Sequence, residues 1–365
     1  MTAAPEPGAI HIALALAGER VDAVRVRSTR PAGLAQAFVG RAGSEAPGLA
    51  RRLFALCGRA QGAAAAEAVA AAAGGERPEA ARAADAIGVL AERAAESLRA
   101  CLLGWPWGDD SSLPRSAVAP LREAIAAAGL LRAVTEANLH DVAPLRAAAE
   151  RLAAAAAALG AAAAPGRPAP PGTAFAAIAG QCAAPLAFAP PDALRPGDDA
   201  AVVAALGRDP DFAAAPSLPG RRPETGAFAR LWRDVPHGDG ACAARLEARR
   251  LDIRETLAAL RHTIAGEADP ESVLTGGPAG AGAGFGAVEC ARGRLHHVAR
   301  VDGDGRIAAY AALAPTEWNF HPRGPYVAAL EGARLGDPAR ALLAAARLAA
   351  LVDPCVAFRV TLEEP

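Results

Sequence analysis

Cysteine is the residue type in this sequence that offers the most chemistry. The chain has six cysteines and no Cys-x-x-Cys pair; they stand at positions 57, 101, 182, 242, 290 and 355. In a reducing compartment, scattered cysteines are usually buried and behave as small hydrophobic residues. Cys355 differs because Asp353 and Pro354 precede it, and the residue before a proline avoids the helical region. We therefore expect a helix to end here and Cys355 to lie in a turn, where its thiol can face a cleft.

Short catalytic and metal-binding motifs are absent from the sequence. It contains no His-Glu-x-x-His, no Gly-x-Ser-x-Gly and no Cys/His zinc spacing. His296 and His297 are adjacent in an alternating run, and neighbours on a strand face opposite sides, so they cannot both reach one metal from the same face. Any metal site must therefore combine residues that are distant in sequence.

Composition excludes several classes of function. All 38 basic residues are arginine, which removes Walker-type phosphate loops and Schiff-base enzymes, since both need lysine. The net charge of −1 gives no basic field for nucleic acid. The N-terminal apolar run lacks a preceding basic region, and no apolar run is convincing as a membrane span. We predict a cytoplasmic protein.

Periodicity in the first half predicts strands followed by helices. Alternation from Ile10 to Ser28 indicates a β-hairpin. Runs of helical composition follow, separated by Gly or Pro, over 45–73, 77–103, 114–128 and 141–159. The Pro- and Gly-rich residues 161–172 predict a linker or long loop between segments 1–160 and 173–365, which we expect to form one compact unit.

The second half predicts another hairpin and a well-bounded final helix. Residues 240–264 are typical of a helix, and the turn Asp-Gly-Asp-Gly at 302–305 predicts a hairpin over 287–313. The Gly-rich stretch before it leads into a strand, which argues against a dinucleotide-binding loop. Asp337 as N-cap and Pro338 at the first helical position mark the start of the last helix.

Separated segments of the chain together resemble the large subunit of nickel–iron hydrogenases. In chain order they are VGRAGSEAPGLARRLFALCGRAQGAAAAEA, PETGAFARL, VECARGRLHHVARVDGDGRIAAYAALAPTEWNFHPRG and DPCVAFRV. They are similar to the family's Cys-Gly-x-Cys-x-x-x-His motif, its Thr-Gly-x-x-Ala-Arg segment, its segment with Pro-Arg-Gly-x-Leu-x-His and Ala-Pro-Thr-x-Trp-Asn, and its C-terminal Asp-Pro-Cys-x-x-Cys-x-x-His. The resemblance implies a shortened large-subunit-like fold, mainly α with small β-hairpins, in which the two ends of the chain meet.

Departures from the family pattern are as informative as the matches. In the enzymes two thiolates from each end of the chain hold nickel and iron, whereas here only Cys57 and Cys355 match. Ala60 and Phe358 stand at the positions of the other two cysteines, and Ala64 and Thr361 at those of the histidines. The glutamate that shuttles protons in the enzymes aligns near Ala35. Neither Ala nor Phe can donate an electron pair to a bridging metal. We therefore predict no hydrogen turnover, no enzyme and, with Thr361 in place of histidine, no proteolytic processing.

The same resemblance implies further site residues around the thiolates of Cys57 and Cys355. Arg292 aligns with the family's active-site arginine and would donate hydrogen bonds to anionic ligands such as cyanide. Asp353 would orient Arg292. Cys290 is a possible third thiolate, although strand packing is the simpler role. His296 aligns near the family's His, and we interpret it as a hydrogen-bonded structural residue.

This combination resembles the HupK group of hydrogenase expression/formation proteins. It implies a maturation scaffold or chaperone that transiently holds an Fe(CN)2CO fragment, with a large-subunit precursor and maturation chaperones as partners. In the family the retained positions bind nickel alone, so nickel is the alternative cargo. Two other hypotheses stay open: a metal enzyme rebuilt around Cys57, Cys355, Cys290 or His296, and a structural mimic of the large subunit that binds subunits or chaperones without metal.

Overall fold

The structure, a computed structural model, describes residues 8–31, 33–108, 112–162, 164, 166–182, 186–209, 211–237 and 240–363. The strands, numbered in chain order, are β1 (Ala9–Ala17), β2 (Arg20–Ser28), β3 (Leu274–Gly280), β4 (Ala283–Cys290), β5 (Gly293–Val301), β6 (Ile307–Leu313) and β7 (Ala357–Leu362). The helices are α1 (Ala46–Leu53), α2 (Gly58–Ala72), α3 (Glu79–Leu103), α4 (Arg115–Arg132), α5 (Val142–Ala158), α6 (Ala174–Ala179), α7 (Asp199–Arg208), α8 (Ala227–Leu231), α9 (Gly240–Ala265), α10 (Pro315–Asn319), α11 (Pro325–Leu330) and α12 (Pro338–Val352). The predicted fold class, mainly α with small sheets, is confirmed.

The N-terminal hairpin forms as its alternation predicts. Ile10, Ile12 and Leu14 on β1 are buried, and His11 and Ala13 between them are more exposed. β7 adds to this hairpin as a parallel strand, giving the order β2-β1-β7 with Ala9 opposite Ala357. The sequence analysis did not predict β7. Its pairing with β1 brings the last residues of the chain against the first strand.

A second sheet explains the glycine-rich run. It is antiparallel with the order β3-β4-β5-β6, so the predicted hairpin is confirmed and the Gly-rich run adds strands to it. A Cβ on Gly286 would lie 2.1 Å from the carbonyl oxygen of Ala64, and one on Gly284 would lie 2.3 Å from the backbone nitrogen of Ala72. These glycines therefore let the backbone of α2 rest directly on β4, a role unrelated to phosphate binding.

The helical run expected over 45–73 is interrupted before α2. Phe54 (φ −117°, ψ 61°) and Cys57 (φ −129°, ψ 40°) leave the helical region, so α1 and α2 are separate. Both carboxylate oxygens of Glu92 on α3 accept hydrogen bonds from the first turn of α2, from Arg59 N at 2.8 Å and Ala60 N at 3.0 Å. This contact satisfies amide donors that a helix start leaves free. Cys57 is thereby fixed as the N-cap residue of α2.

The remaining helices surround a core in which α3 packs against α9 and α4, and α5 against α4 and α9. The final helix follows its predicted boundaries: Asp337 caps it by accepting from Arg340 N at 2.9 Å, and it ends at Val352 before Pro354. Residues 161–172, without 163 and 165, which lie outside the described residues, form turns and chain without regular secondary structure. No helix in the described part of the chain is long and apolar enough to cross a membrane.

Candidate metal centre

Cys57 and Cys355 meet at the end of a large cleft. The two thiols lie close enough together for each to shift the pKa of the other, and both line a cavity of about 1490 Å³. Cys57 is 6% exposed, whereas Cys355 is partly exposed. The predicted convergence of the two chain ends is confirmed, although they are almost 300 positions apart in the sequence. The role of the two thiols as metal ligands stays a prediction.

Cys355 is presented by a strained turn. Asp353 and Cys355 both have φ 62°, a left-handed conformation that non-glycine residues seldom adopt. Asp353 Oδ1 accepts a hydrogen bond from Cys355 N at 3.2 Å, and Thr316 Oγ1 donates to the carbonyl of Pro354 at 3.0 Å. These bonds hold the turn that leads out of α12. Such strain persists only where surrounding contacts fix it, and it clusters at functional sites.

A buried arginine lies beside the thiol pair. Arg292, in the turn between β4 and β5, is 1% exposed and lines the same cavity. Its Nε lies 3.0 Å from Asp353 Oδ2, and its Nη2 lies 3.2 Å from Glu96 Oε2. The pairing of Asp353 with Arg292 is the contact that the sequence analysis predicted. Arg249 on α9 joins the two segments further by donating to the carbonyls of Leu351 (3.1 Å) and Ala291 (3.3 Å).

The two thiols differ in pKa, one raised and the other lowered. The hydrogen bond from the Cys57 thiol lowers the pKa of Cys355 to about 7 against the effect of burial, and the positive charge of Arg292 acts in the same direction. The hydrogen bond to Cys355, together with burial, raises the pKa of Cys57 well above its ordinary value. Above pH of about 7 the pair therefore holds a thiolate at Cys355 beside a thiol at Cys57, and a metal that bound both would displace the remaining proton.

Two nitrogens of Arg292 make no hydrogen bond within the described residues. Nε and Nη1 are buried, yet no acceptor in the described residues receives a hydrogen bond from either. Nε still forms an ion pair with Asp353 Oδ2, which leaves Nη1 as the open donor. A buried guanidinium donor without a partner is costly, and this one belongs to a side chain that lines the cavity with both thiols. The donor set of two soft sulfurs and a guanidinium nitrogen with free N–H groups therefore fits a metal complex that carries an anionic, hydrogen-bond-accepting ligand.

Cys290 and His296, the two additional candidate ligands, differ in whether they line the cavity of the Cys57–Cys355 pair. Cys290 lines the cavity, but burial raises its pKa to about 12, so it favours the neutral thiol. His296 is fully buried and its Nε2 lies 2.9 Å from Asp199 Oδ1, which agrees with a structural role. Among the described residues no three His, Cys, Asp or Glu side chains are grouped so that they could hold a metal. The site thus offers two protein thiols.

The sequence analysis did not predict a buried series of hydrogen-bonded polar residues that ends at Cys57. Tyr310 OH lies 2.5 Å from His297 Nδ1, His297 Nε2 lies 2.5 Å from Gln61 Oε1, and Gln61 Nε2 donates to Cys57 Sγ at 3.6 Å. Burial lowers the pKa of His297 to about 3, so the ring is neutral. Because Gln61 Oε1 can only accept, His297 carries its proton on Nε2 and accepts from Tyr310. This series of hydrogen bonds thus directs an N–H donor of Gln61 at the sulfur of Cys57.

The sequence contains one signal for this series of hydrogen-bonded residues, the spacing of His297 from Arg292. Counted from Arg292, the spacing Arg-Gly-x-Leu-x-His places the family's His at His297, whereas the sequence analysis had assigned it near His296. The structure separates the two neighbours as predicted, with His297 facing Gln61 on α2 and His296 facing Asp199.

Positions that the resemblance aligns with the ligands of the enzymes fill space in this structure. Ala60 is fully buried in the helical core, and Ala64 packs its backbone against Gly286. Phe358 lies in β7 and packs against the core. Ala35, near the position of the proton-shuttling glutamate, lines the cavity wall. The site is therefore wider and less polar than four thiolates and a glutamate would make it.

Comparison with known proteins relates the chain to hydrogenases and to proteins of hydrogenase formation. The family model for nickel-dependent hydrogenase matches residues 242–360. The hydrogenase expression/formation protein HupK of Rhizobium leguminosarum bv. viciae is 43% identical over 98% of this chain and 97% of that protein. HupK of Bradyrhizobium diazoefficiens is 34% identical over 97% of each, and HoxV of Cupriavidus necator, also a hydrogenase expression/formation protein, is 32% identical over 89% of each.

Solved structures share the fold at low sequence identity. The [NiFeSe] hydrogenase of Desulfovibrio vulgaris Hildenborough superposes with a TM-score of 0.62 at 15% identity, over 95% of this chain and 98% of that one. The Ni-Fe-Se hydrogenase of Desulfomicrobium baculatum gives the same TM-score over 94% and 95%. With near-full-length relatives above 30% identity, the chain belongs to the HupK family of hydrogenase expression/formation proteins, on a fold shared with nickel-dependent hydrogenases.

Proposed function

We propose that this protein is a non-catalytic scaffold for the maturation of nickel–iron hydrogenase. It holds an iron fragment with cyanide and carbonyl ligands, Fe(CN)2CO, and delivers it to the large-subunit precursor. The observation that carries the proposal is the contact between the Cys57 and Cys355 thiols beside a buried Arg292 whose Nη1 donor is free. Two soft ligands and one anion-directed donor match a metal that arrives with its own small ligands.

The number of thiols suits a carrier better than an enzyme. A site that must release its metal binds it less tightly than a closed four-ligand site, and it leaves coordination positions open for the recipient. Cys57 is buried and Cys355 partly exposed, so the fragment would be reached from the cavity on the Cys355 side. The cavity of about 1490 Å³ is much larger than a single metal fragment needs, which leaves room for part of a partner protein.

Arg292 supplies selectivity in this proposal. Its guanidinium stays charged because Asp353 and Glu96 raise its pKa against the effect of burial. A cyanide ligand accepts a hydrogen bond from such a donor, and a charge-assisted bond of this kind contributes about 1.5–3 kcal/mol. Nickel without such ligands is the alternative cargo, since it would use the thiols and gain nothing from Arg292.

The relatives' names support a role in hydrogenase formation. We therefore propose the hydrogenase large-subunit precursor and its maturation chaperones as partners. A structural mimic that binds these partners without metal would leave the two cysteines unused, and this difference separates the two functions.

Complementation tests the proposal in a strain that lacks the chromosomal copy of this chain. The wild-type chain should restore hydrogenase activity, and Cys57→Ser/Cys355→Ser should not. The matched control is Cys182→Ser/Cys242→Ser, which changes two buried core cysteines away from the cavity and should restore activity. Full restoration by the first double variant, at equal protein level, would reject the carrier and support the mimic.

A further inference from the structure

A second guanidinium lines the cavity of the thiol pair. Arg30 follows β2, and its Nη1 lies 2.5 Å from Glu317 Oε1 on α10. Their side chains are 19% and 20% exposed, and both residues line the cavity together with Cys355. Arg30 and Arg292 therefore reach the same space from two different elements of the fold.

Glu317 connects Arg30 to the turn of Cys355. The preceding residue, Thr316, donates its hydroxyl proton to the carbonyl of Pro354 at 3.0 Å. The short helix α10 thus holds the backbone just before Cys355 and presents the carboxylate that holds Arg30. The positive charge of Arg30 also acts on the Cys355 thiolate and helps to stabilise it.

The Arg30–Glu317 pair leaves donors unused. A guanidinium has five N–H donors, and among the described residues the Arg30 side chain makes one hydrogen bond, to Glu317. Burial raises the pKa of Glu317 more than the positive charge of Arg30 lowers it, so the charge of this carboxylate depends on Arg30 for compensation. An anion that enters the cavity would compete with Glu317 for the same guanidinium.

We propose that Arg30 is a second anion-binding residue of this site and that Glu317 is its exchangeable counter-ion. Arg30 takes an anionic, hydrogen-bond-accepting ligand of the bound metal complex, such as a cyanide nitrogen, while Arg292 takes another. The inference deepens the proposed function, on which the identity of that complex rests. It adds a specificity-determining residue that none of the motif matches includes.

Opposite substitution effects distinguish this role from a structural ion pair. If the pair only stabilises the fold, removing either charge harms the protein in the same direction. If Arg30 binds the anion, Arg30→Gln weakens binding, whereas Glu317→Gln removes the competitor and leaves binding equal or tighter. Arg30→Gln/Glu317→Gln, which leaves no buried charge unpaired, should bind as weakly as Arg30→Gln and serves if the single variant does not fold.

The test is equilibrium dialysis of the reduced, metal-free full-length protein against potassium ferrocyanide, a stable anion whose cyanide nitrogens accept hydrogen bonds. Arg30→Gln should bind about tenfold more weakly than wild type, the loss of one charge-assisted hydrogen bond. Arg146→Gln, which removes an exposed charge on α5, should bind like wild type. Thermal unfolding of every variant controls for stability.

Unchanged binding by Arg30→Gln, or an equal loss in Arg30→Gln and Glu317→Gln, would overturn the inference. Its failure is separable from that of the proposed function, because ferrocyanide needs no thiolate. Wild-type protein that carries iron and cyanide, while ferrocyanide binds independently of Arg30, rejects this inference alone. Ferrocyanide binding that depends on Arg30, in protein that never carries iron, supports this inference and counts against the carrier.

Discussion

Replacing Asp353 with Asn tests whether a buried carboxylate holds Arg292 at the thiol pair. The Asp353 side chain is 8% exposed, and its Oδ2 lies 3.0 Å from Arg292 Nε and 3.9 Å from Arg249 Nη2. Asn has the same shape, can accept the same hydrogen bond from Cys355 N, and tolerates a φ of 62° as Asp does. The substitution therefore removes the charge and little else.

The expected loss follows from leaving a buried cation with fewer partners. Removing one member of a buried ion pair costs about 3–5 kcal/mol. Arg292 keeps Glu96 at 3.2 Å, so we expect the lower end, about 3 kcal/mol in the free energy of unfolding. Asp337→Asn is the matched control, because Asp337 is an exposed N-cap residue and Asn caps helices as well as Asp. It should change stability by less than about 0.5 kcal/mol.

Urea unfolding of wild type and both variants at pH 7, followed by circular dichroism, measures the difference. The pKa of Asp353 is lowered, as Arg292 and Arg249 outweigh burial. A lowered pKa gives stability that is present above the unfolded value of about 3.9 and is lost as the pH falls toward the folded value. The gap between wild type and Asp353→Asn should therefore narrow below pH of about 4. A cost at pH 7 no larger than that of Asp337→Asn would refute the reasoning.

Other substitutions and reactions test the surrounding architecture. Iodoacetamide should label Cys355 faster as the pH rises through about 7, because the pKa of Cys355 is lowered to that value and only the thiolate reacts. A labelling rate that rises only above about pH 8.5, the range of a free thiol, would contradict this. Gly286→Ala should lower the free energy of unfolding in urea by about 1–3 kcal/mol, because the added Cβ meets the backbone of α2. Gly303→Ala is the control, since a Cβ there has no neighbour within 4 Å. Equal costs for the two variants would reject the close approach. Gln61→Leu should lower the free energy of unfolding by about 1–3 kcal/mol, because the buried N–H of His297 loses its acceptor. An unchanged unfolding midpoint would argue against the hydrogen-bonded series Tyr310–His297–Gln61.

Local signals in the sequence predicted the elements whose stability is local. The alternation from Ile10 to Ser28 and the cap at Asp337 each specify a strand pair or a helix end within a few residues, and the structure has them as expected. Strand β7 could not be predicted in this way, because residues 357–362 are extended through pairing with β1 at the other end of the chain. Short apolar runs do not reveal such long-range partners.

The same distinction applies to the site. The resemblance to hydrogenase large subunits placed Cys57 near Cys355, which spacing alone would not have suggested. The contacts of Gln61 with His297, and of Arg30 with Glu317, depend on how α2, β2, β5 and α10 are placed relative to one another. Side-chain contacts of this kind follow from tertiary packing, so the sequence contains no local pattern for them.

The most direct test of the central claim is the metal content and infrared spectrum of anaerobically purified protein. Wild type should carry iron and show cyanide and carbonyl stretching bands, and Cys57→Ser/Cys355→Ser should lose both while Cys182→Ser/Cys242→Ser keeps them. Iron and bands that survive in the first double variant, or wild-type protein without metal when expressed together with its maturation partners, would contradict a carrier held by these two thiols.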